Sequence, residues 1–450
     1  MHGRREGAHL LPTARHRLTA ESISHYHTNQ SSDQPGSQIA FGQNEMRASE
    51  GKTLNYGWVV VGAFLAIDAM IMGITFSLGL MLPLMSDDLD MTLGQASWLG
   101  AVNWEVSALL SIPVAFRLSR YSPKALITIS CLGEAPLLLA QGLAPNYWIL
   151  LVCRIAYMAI GLARFAARPT LIQQWFPKEK VPLVNGVLTV GMGLAGGTVV
   201  FFMGDIMGAL DGWRNTFYLF SAITAVLMVV WMILGRENPA SGVKEQPQEP
   251  GALSAILRNK TLWLLGIGVT GDMLCFGAME TLWPTYATEK GFISLEQASF
   301  CEGLSYYGFT VGSILGGLMT MRLGRRKPVL WLSGLMLPMV TMGVLFSRSF
   351  PVLASLWFLW GLAELYYPVI MTIPYELPGI KPQGVVLATA FVVTVFTAGS
   401  GLGPLLAGHV AGAIGLEKAL LVTCFFPLLL FVAGLLILET GPRSGRRRPA

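Results

Sequence analysis

Twelve apolar segments, each long enough to cross a bilayer as a helix, constrain this chain more than any other feature of it. A crossing takes about 20 mostly apolar residues. The segments run Trp58–Leu84, Ser97–Leu118, Ala125–Leu143, Trp148–Gln173, Leu183–Met203 and Phe217–Leu234, then Leu262–Ala287, Phe300–Met321, Pro328–Phe346, Val352–Ile373, Val385–Ile414 and Ala419–Leu438. Gly and Pro recur inside them, as membrane helices tolerate. Only 13% of the 450 residues are charged and mean hydropathy is +0.55, whereas soluble domains carry about 25% charged residues. The predicted fold class is therefore an all-α membrane protein with twelve transmembrane helices.

The polar stretches divide the chain. Residues 1–54 are polar, with five scattered histidines (His2, His9, His16, His25, His27), and read as a disordered cytoplasmic tail; their irregular spacing does not suggest a metal site. Leu10, Leu11 and Pro12 do not make the apolar core of a secretory signal, so the first membrane helix is expected to direct insertion. A Pro/Gly/Glu-rich linker, residues 236–258, separates a bundle at 55–235 from one at 259–440, and 441–450 is a basic tail. The halves repeat: Asp68 through Gly73 pairs with Asp272 through Gly277, Arg117 and Arg120 with Arg322 and Arg325, and Gly191 and Gly193 with Gly399 and Gly401. A nearly constant interval of about 205 residues separates the pairs, the mark of a duplication giving two pseudo-symmetric six-helix bundles.

Loop charge sets an expected orientation. Arg117, Arg120 and Lys124 follow the second segment, Lys178 and Lys180 the fourth, Arg322, Arg325, Arg326 and Lys327 the eighth, and Lys381 the tenth. Arg236, Lys244, Arg258 and Lys260 lie between the halves, and Arg443, Arg446, Arg447 and Arg448 in the tail. The alternate loops hold only Arg214, Lys290, Arg348 and Lys418, and the first of them, Ser86 to Asp90, is acidic. The positive-inside rule then puts both termini in the cytoplasm of a multi-pass cell-membrane protein. A charge distributed this way suits membrane orientation rather than nucleic-acid binding. The five cysteines show no metal spacing and read as free thiols.

The fourth segment carries Arg154, Tyr157, Gly161, Arg164 and Arg168 three and four residues apart, one stripe of a helix. A cation at the bilayer centre costs about 2.5–3.5 kcal/mol on insertion scales, so the stripe is expected to face protein or a watery cavity. Arg164, near mid-helix, is a candidate anion site, because guanidinium grips carboxylate bidentately; an ion pair with Asp68 or Glu105 is the other reading. Arg168, one turn nearer the cytoplasm, reads more simply as snorkelling to the headgroups. Asn103, Tyr157, Tyr366 and Tyr367 are further candidate substrate contacts. Asp68 and Asp272, recurring in both halves, are candidate proton-coupling groups with Glu105 and Glu364. Such coupling needs a carboxyl whose proton affinity depends on whether the cavity is filled. By the repeat interval Glu364 stands opposite Arg164. Glu134 beside Pro136 reads as a group satisfying donors at a kink, and His409 as a solvated or hydrogen-bonded residue.

Six plus six helices with basic loops after the second and eighth resemble the major facilitator superfamily, whose loop signature is Gly-x-x-x-Asp-Arg-x-Gly-Arg-Arg. Gly317, Arg322, Gly324, Arg325 and Arg326 match it, with Met321 in place of Asp; in the first copy Arg117 and Arg120 remain, with Phe116 and Ser119 at the Asp and Gly positions. The resemblance implies a gating role for these loops, and the missing Asp puts the family's lock in doubt. It also implies that helices one, two, four and five face seven, eight, ten and eleven across a cavity. Gly191 to Gly197, Gly401 to Gly408, and Gly212, Trp213 and Arg214 are similar to family patterns. Asn55 to Trp58 and Trp175 to Pro177 resemble the monocarboxylate and oxalate–formate branches. The implied function is a secondary transporter, with no cofactor and no enzymatic activity, moving a small organic anion by alternating access with a possible proton. It is expected as a monomer whose partners are the small-molecule substrate, the proton and membrane lipid, with no nucleic acid. A multidrug or cation–proton antiporter is the alternative, and a non-transporting receptor a remote one. No P-loop or hydrolase motif is present.

Overall fold

The computed structural model describes residues 35–118, 120–177, 179–238, 252–377, 380 and 382–442. Ser119, Lys178, Lys381, Lys244 with most of the linker, and nearly all of both tails lie outside the described residues, as does the side chain of Phe116. The description below concerns the unit 53–450.

In the first half the helices are α1 (Pro35–Phe76), α2 (Leu78–Asp88), α3 (Leu93–Leu118), α4 (Pro123–Gly142), α5 (Tyr147–Trp175), α6 (Val181–Phe201), α7 (Met203–Ala209) and α8 (Trp213–Leu234). After the short α9 (Ala252–Leu257) come α10 (Lys260–Glu289), α11 (Leu295–Leu323), α12 (Lys327–Phe346), α13 (Phe350–Ala363), α14 (Tyr367–Glu376), α15 (Pro382–Ile414), α16 (Leu416–Thr423) and α17 (Leu428–Leu436). Ten spans among the described residues are long and apolar enough to cross a membrane. The remaining two of the twelve are α3 and α11, of 26 and 29 residues. Both carry buried or half-buried polar groups, Asn103 and Glu105 on one, Glu302 and Tyr306 on the other. Large apolar side chains stay exposed on the outer faces, Leu109 at 72% and Met339 at 70%, as a lipid-facing surface requires.

Local chemistry sets the helix ends. Ser122, Asn146 and Asn259 accept hydrogen bonds from the first-turn amides of α4, α5 and α10, and Ser294 forms a reciprocal capping box with Gln297. Gly324 ends α11 at φ +62°, a conformation that favours glycine. Several segments that read as single helices are broken. The first breaks at Ser77, whose hydroxyl donates to the Gly73 carbonyl at 2.7 Å; such back-bonding bends helices. The tenth breaks between Ala363 and Tyr367, and the twelfth between Thr423 and Leu428.

Glycine governs how closely the helices of the second half approach. Gly308, Gly312 and Gly316 on α11 lie one turn apart, and a Cβ on any of them would meet the backbone carbonyls of Phe358, Leu362 or Leu365. Gly361 on α13 faces the Ser305 carbonyl in return. This is the close small-residue packing of membrane helices. Contacts between the halves run from mid-helix, where Gly401 meets Glu105 and Gly193 meets Thr310, to the end bearing the Ser86–Asp90 loop. There Gly79 faces the Glu280 carbonyl, Gly100 the Thr281 side chain, and the Gly204 amide donates to Ser299 at 3.0 Å. At the end with the basic loops, Gly62, Gly186 and Gly317 have no neighbour within 4 Å of a Cβ position.

Candidate functional site: a chamber between the halves

A chamber of about 260 Å³ lies between the halves, and eight helical segments supply its wall. From the first half come Phe76 of α1, Trp104 of α3, Arg168 of α5 and, from α6, Thr189, Met192 and Gly193. From the second come Met273 and Phe276 of α10, Tyr306 and Phe309 of α11, Glu364 and Tyr367 at the α13–α14 break, and Phe396 of α15. These correspond to helices one, two, four, five, seven, eight, ten and eleven, the set that the family resemblance implies.

Two charged groups line this chamber, one from each half. Among the described residues the Arg168 guanidinium donates to the Met192 sulfur at 3.3 Å and makes no ion pair. Glu364 caps the end of α13. Its carboxyl makes no hydrogen bond among the described residues, while its backbone closes a tight turn with Gly361. Tyr367 begins α14 beside it, so the positive end of that half-helix is turned to the chamber. The Tyr367 and Val369 amides are already used in turns, so this end contributes field rather than free donors. Rings roof the chamber: Phe76 is stacked between Trp104, at 5.9 Å, and Tyr306, at 5.0 Å, joining the two halves. The Tyr306 hydroxyl donates to Glu280 at 3.2 Å.

Arg164 is elsewhere. It is 1% exposed inside the first bundle, off the chamber wall. Its Nε donates to Asp68 at 2.8 Å and its Nη1 to Glu134 at 2.6 and 2.8 Å and to Ser130 at 3.2 Å. Glu134, expected to serve a kink at Pro136, is instead a partner of this arginine. A Cβ at Gly161 would stand 2.8 Å from the Glu134 carboxylate, so glycine makes room for it. The spacing rule put Arg164 and Arg168 on one stripe correctly. One helical turn, which the spacing cannot resolve, decides which of them reaches the chamber and which reaches Asp68 and Glu134. The snorkelling reading of Arg168 is corrected by the same geometry.

The other expected residues divide similarly. Asn103 is buried and accepts from Arg154 at 2.8 Å, while its own amide reaches the Thr75 carbonyl. Tyr157 is 1% exposed, with Arg154 over its ring at 5.3 Å. Tyr366 is buried and donates to Asp272 at 2.5 Å. None of these three lies on the chamber wall, because each packs inside one bundle. Glu105 lies against Gly401 of α15, at the contact between halves. Asp68 and Asp272 are both buried away from the wall, whereas Glu364 and Tyr367 are on it. His409 is exposed and bonds the Leu405 carbonyl.

At the basic loops, Arg117 and Arg120 are exposed, the latter donating to the Arg117 carbonyl at 3.2 Å. Arg322 and Arg325 are also exposed. Arg326 is engaged within its own half: it holds Glu376 through Nε at 3.0 Å and Nη2 at 2.5 Å, and its amide donates to Glu439. Met321, in the Asp position, is 79% exposed.

The family model of the Major Facilitator Superfamily matches residues 60–300 and 281–450. The nitrite extrusion protein of Bacillus subtilis (strain 168) is 25% identical over 236 residues, 51% of this chain and 55% of that protein. The probable nitrate transporter NarT of Staphylococcus carnosus (strain TM300) is 29% identical over 157 residues, 34% of this chain and 39% of that one. The chain thus spans about half the length of the curated relatives it matches, or less. Among solved structures, a bacterial homolog of the human lysosomal transporter Spinster, inward-facing and unoccupied, has a TM-score of 0.74 at 16% identity, covering 88% of this chain and 99% of that one. The nucleoside transporter NupG has a TM-score of 0.65 at 17% identity, covering 85% and 98%. At such identities the likeness is one of fold.

Proposed function

The chain belongs to the Major Facilitator Superfamily, and from that premise we propose that this transporter carries a small anion, bound at Arg168 in the chamber between its halves. It is a multi-pass membrane transporter and not an enzyme. The observation that carries the anion reading is a guanidinium on the chamber wall with no acidic partner among the described residues. A cation so placed is held for a charge that arrives from outside. The relatives named for nitrite and nitrate support an anion over a cation, and the helix end at Tyr367 adds a favourable field.

Glu364 faces the same chamber, which supports co-transport of a proton. An anion at Arg168 and a proton on Glu364 arrive as a pair with no net charge, so the loaded chamber carries the same charge as the empty one. The halves meet at the acidic-loop end. With the positive-inside orientation, the chamber of this state opens toward the cytoplasm, and rocking of the halves exposes it alternately.

Uptake of labelled nitrate, nitrite, formate and larger monocarboxylates into proteoliposomes tests the anion reading. Arg168→Ala is expected to lower kcat/KM for the carried anion about 10- to 150-fold, the worth of a hydrogen bond to a charged group. Arg168→Lys should recover part of it. Efflux of cationic dyes with no anion signal would reject the reading and favour the cation antiporter that Glu364 otherwise suits. A second expectation concerns coupling. Glu364→Gln should abolish accumulation driven by a pH gradient while leaving anion counterflow; accumulation intact in that variant would remove Glu364 from the proton's path.

A further inference from the structure

Half of the chamber wall, seven of its fourteen residues, is aromatic, against one guanidinium and one carboxyl. We infer that the preferred substrate is an aromatic monocarboxylate, its carboxylate on Arg168 and its ring among Phe276, Phe309 and Phe396. This rests on the anion reading and narrows it.

An inorganic oxyanion has no apolar surface to offer these rings. It would leave water for one guanidinium and lose most of its other hydrogen bonds, which is costly in such surroundings. An arene gains what the ion forfeits, by burying its faces and edges against other rings. The ring arrangement leaves a place for it. Phe76 already stacks with Trp104 and Tyr306, and Phe309 meets Tyr367 edge-on at 5.3 Å. Phe396 is largely buried, yet it lines the chamber and makes no ring contact among the described residues, so a guest can meet its exposed edge without displacing another ring.

Size and charge agree. The chamber of about 260 Å³ has room for about nine waters at their liquid share of about 30 Å³ each. Benzoate, whose nine heavy atoms are bonded together and so take less room than nine waters, fits within it. A second carboxylate on the ring would find no second guanidinium among the described wall residues and would be buried unpaired, so dicarboxylates are rejected.

The test is counterflow by the full chain in proteoliposomes, with labelled benzoate, formate, nitrate and phthalate. Benzoate is expected to show the highest kcat/KM, about tenfold or more above formate and nitrate, and phthalate no signal. Phe396→Leu should lower the benzoate-to-formate ratio of kcat/KM about three- to tenfold, the worth of one aromatic contact. Phe276→Leu should do likewise, and serves if the first variant does not fold. Arg168-dependent transport of formate or nitrate without benzoate would overturn this inference and leave the anion reading standing. A benzoate preference unmoved in both variants would also overturn it. Transport of cations alone would overturn both readings together.

Discussion

Arg164→Leu is expected to lose about 3–5 kcal/mol of stability, the cost of breaking a buried ion pair by removing one partner. Here the loss falls on two carboxyls. Asp68 and Glu134 are each 1% exposed and both depend on this guanidinium. Thermal unfolding in detergent, or the yield of monodisperse protein, reads the effect. Arg164→Lys should fail nearly as badly, because a point charge cannot hold an acid with Nε and another with Nη1. Replacing the acids by apolar groups of similar size as well, in the triple variant Arg164→Met, Asp68→Leu, Glu134→Met, should restore most of the loss, since a packed apolar set is often as stable as the buried ions. If Arg164→Leu unfolds like the parent and loses only transport, the arginine belongs to the substrate path and its two ion pairs do not hold the first bundle together.

Gly312→Val should cost about 3 kcal/mol, the upper part of the range for overpacking. Its Cβ would stand 2.5 Å from the Leu362 carbonyl oxygen and 3.1 Å from that of Gly361. Backbone atoms held in two helices cannot step aside as a flexible side chain can. Gly317→Val, five residues on in the same helix, is the control. Nothing lies within 4 Å of its Cβ position, so its unfolding should match the parent within about 0.5 kcal/mol, as for ordinary surface changes. Equal losses in the two variants would show that helix propensity, and not close approach to α13, sets the effect.

Those two glycines also show what the sequence can convey. Gly317 is conspicuous in the chain because it opens a family signature, yet its surroundings are empty. Gly312 stands in no signature, and it is the structure that shows it forming a small-residue seam with Gly308 and Gly316. The twelve spans, the two halves and the linker follow from hydropathy and repetition, because membrane insertion acts on averages over about 20 residues. The site depends on finer quantities. Whether Arg164 or Arg168 reaches the chamber depends on depth along α5, which periodicity does not encode. Tyr366 and Tyr367 are neighbours in the chain, but the helix break sends one to Asp272 and the other to the wall. The ion pair of Arg164 with Asp68, one of the two readings of the stripe, is the one the structure shows, and Glu134 joins it as a second acid that the kink reading did not assign.

The seam between α11 and α13 restricts how the chamber can change shape. With carbonyls and glycines in contact along several turns, Tyr306 and Glu364 travel as a single jaw. Arg168 rides on the opposite jaw. On the proposed binding at Arg168, a guest between it and the far wall would be gripped only while the jaws are at one spacing, and swinging either end open would loosen that grip by geometry alone.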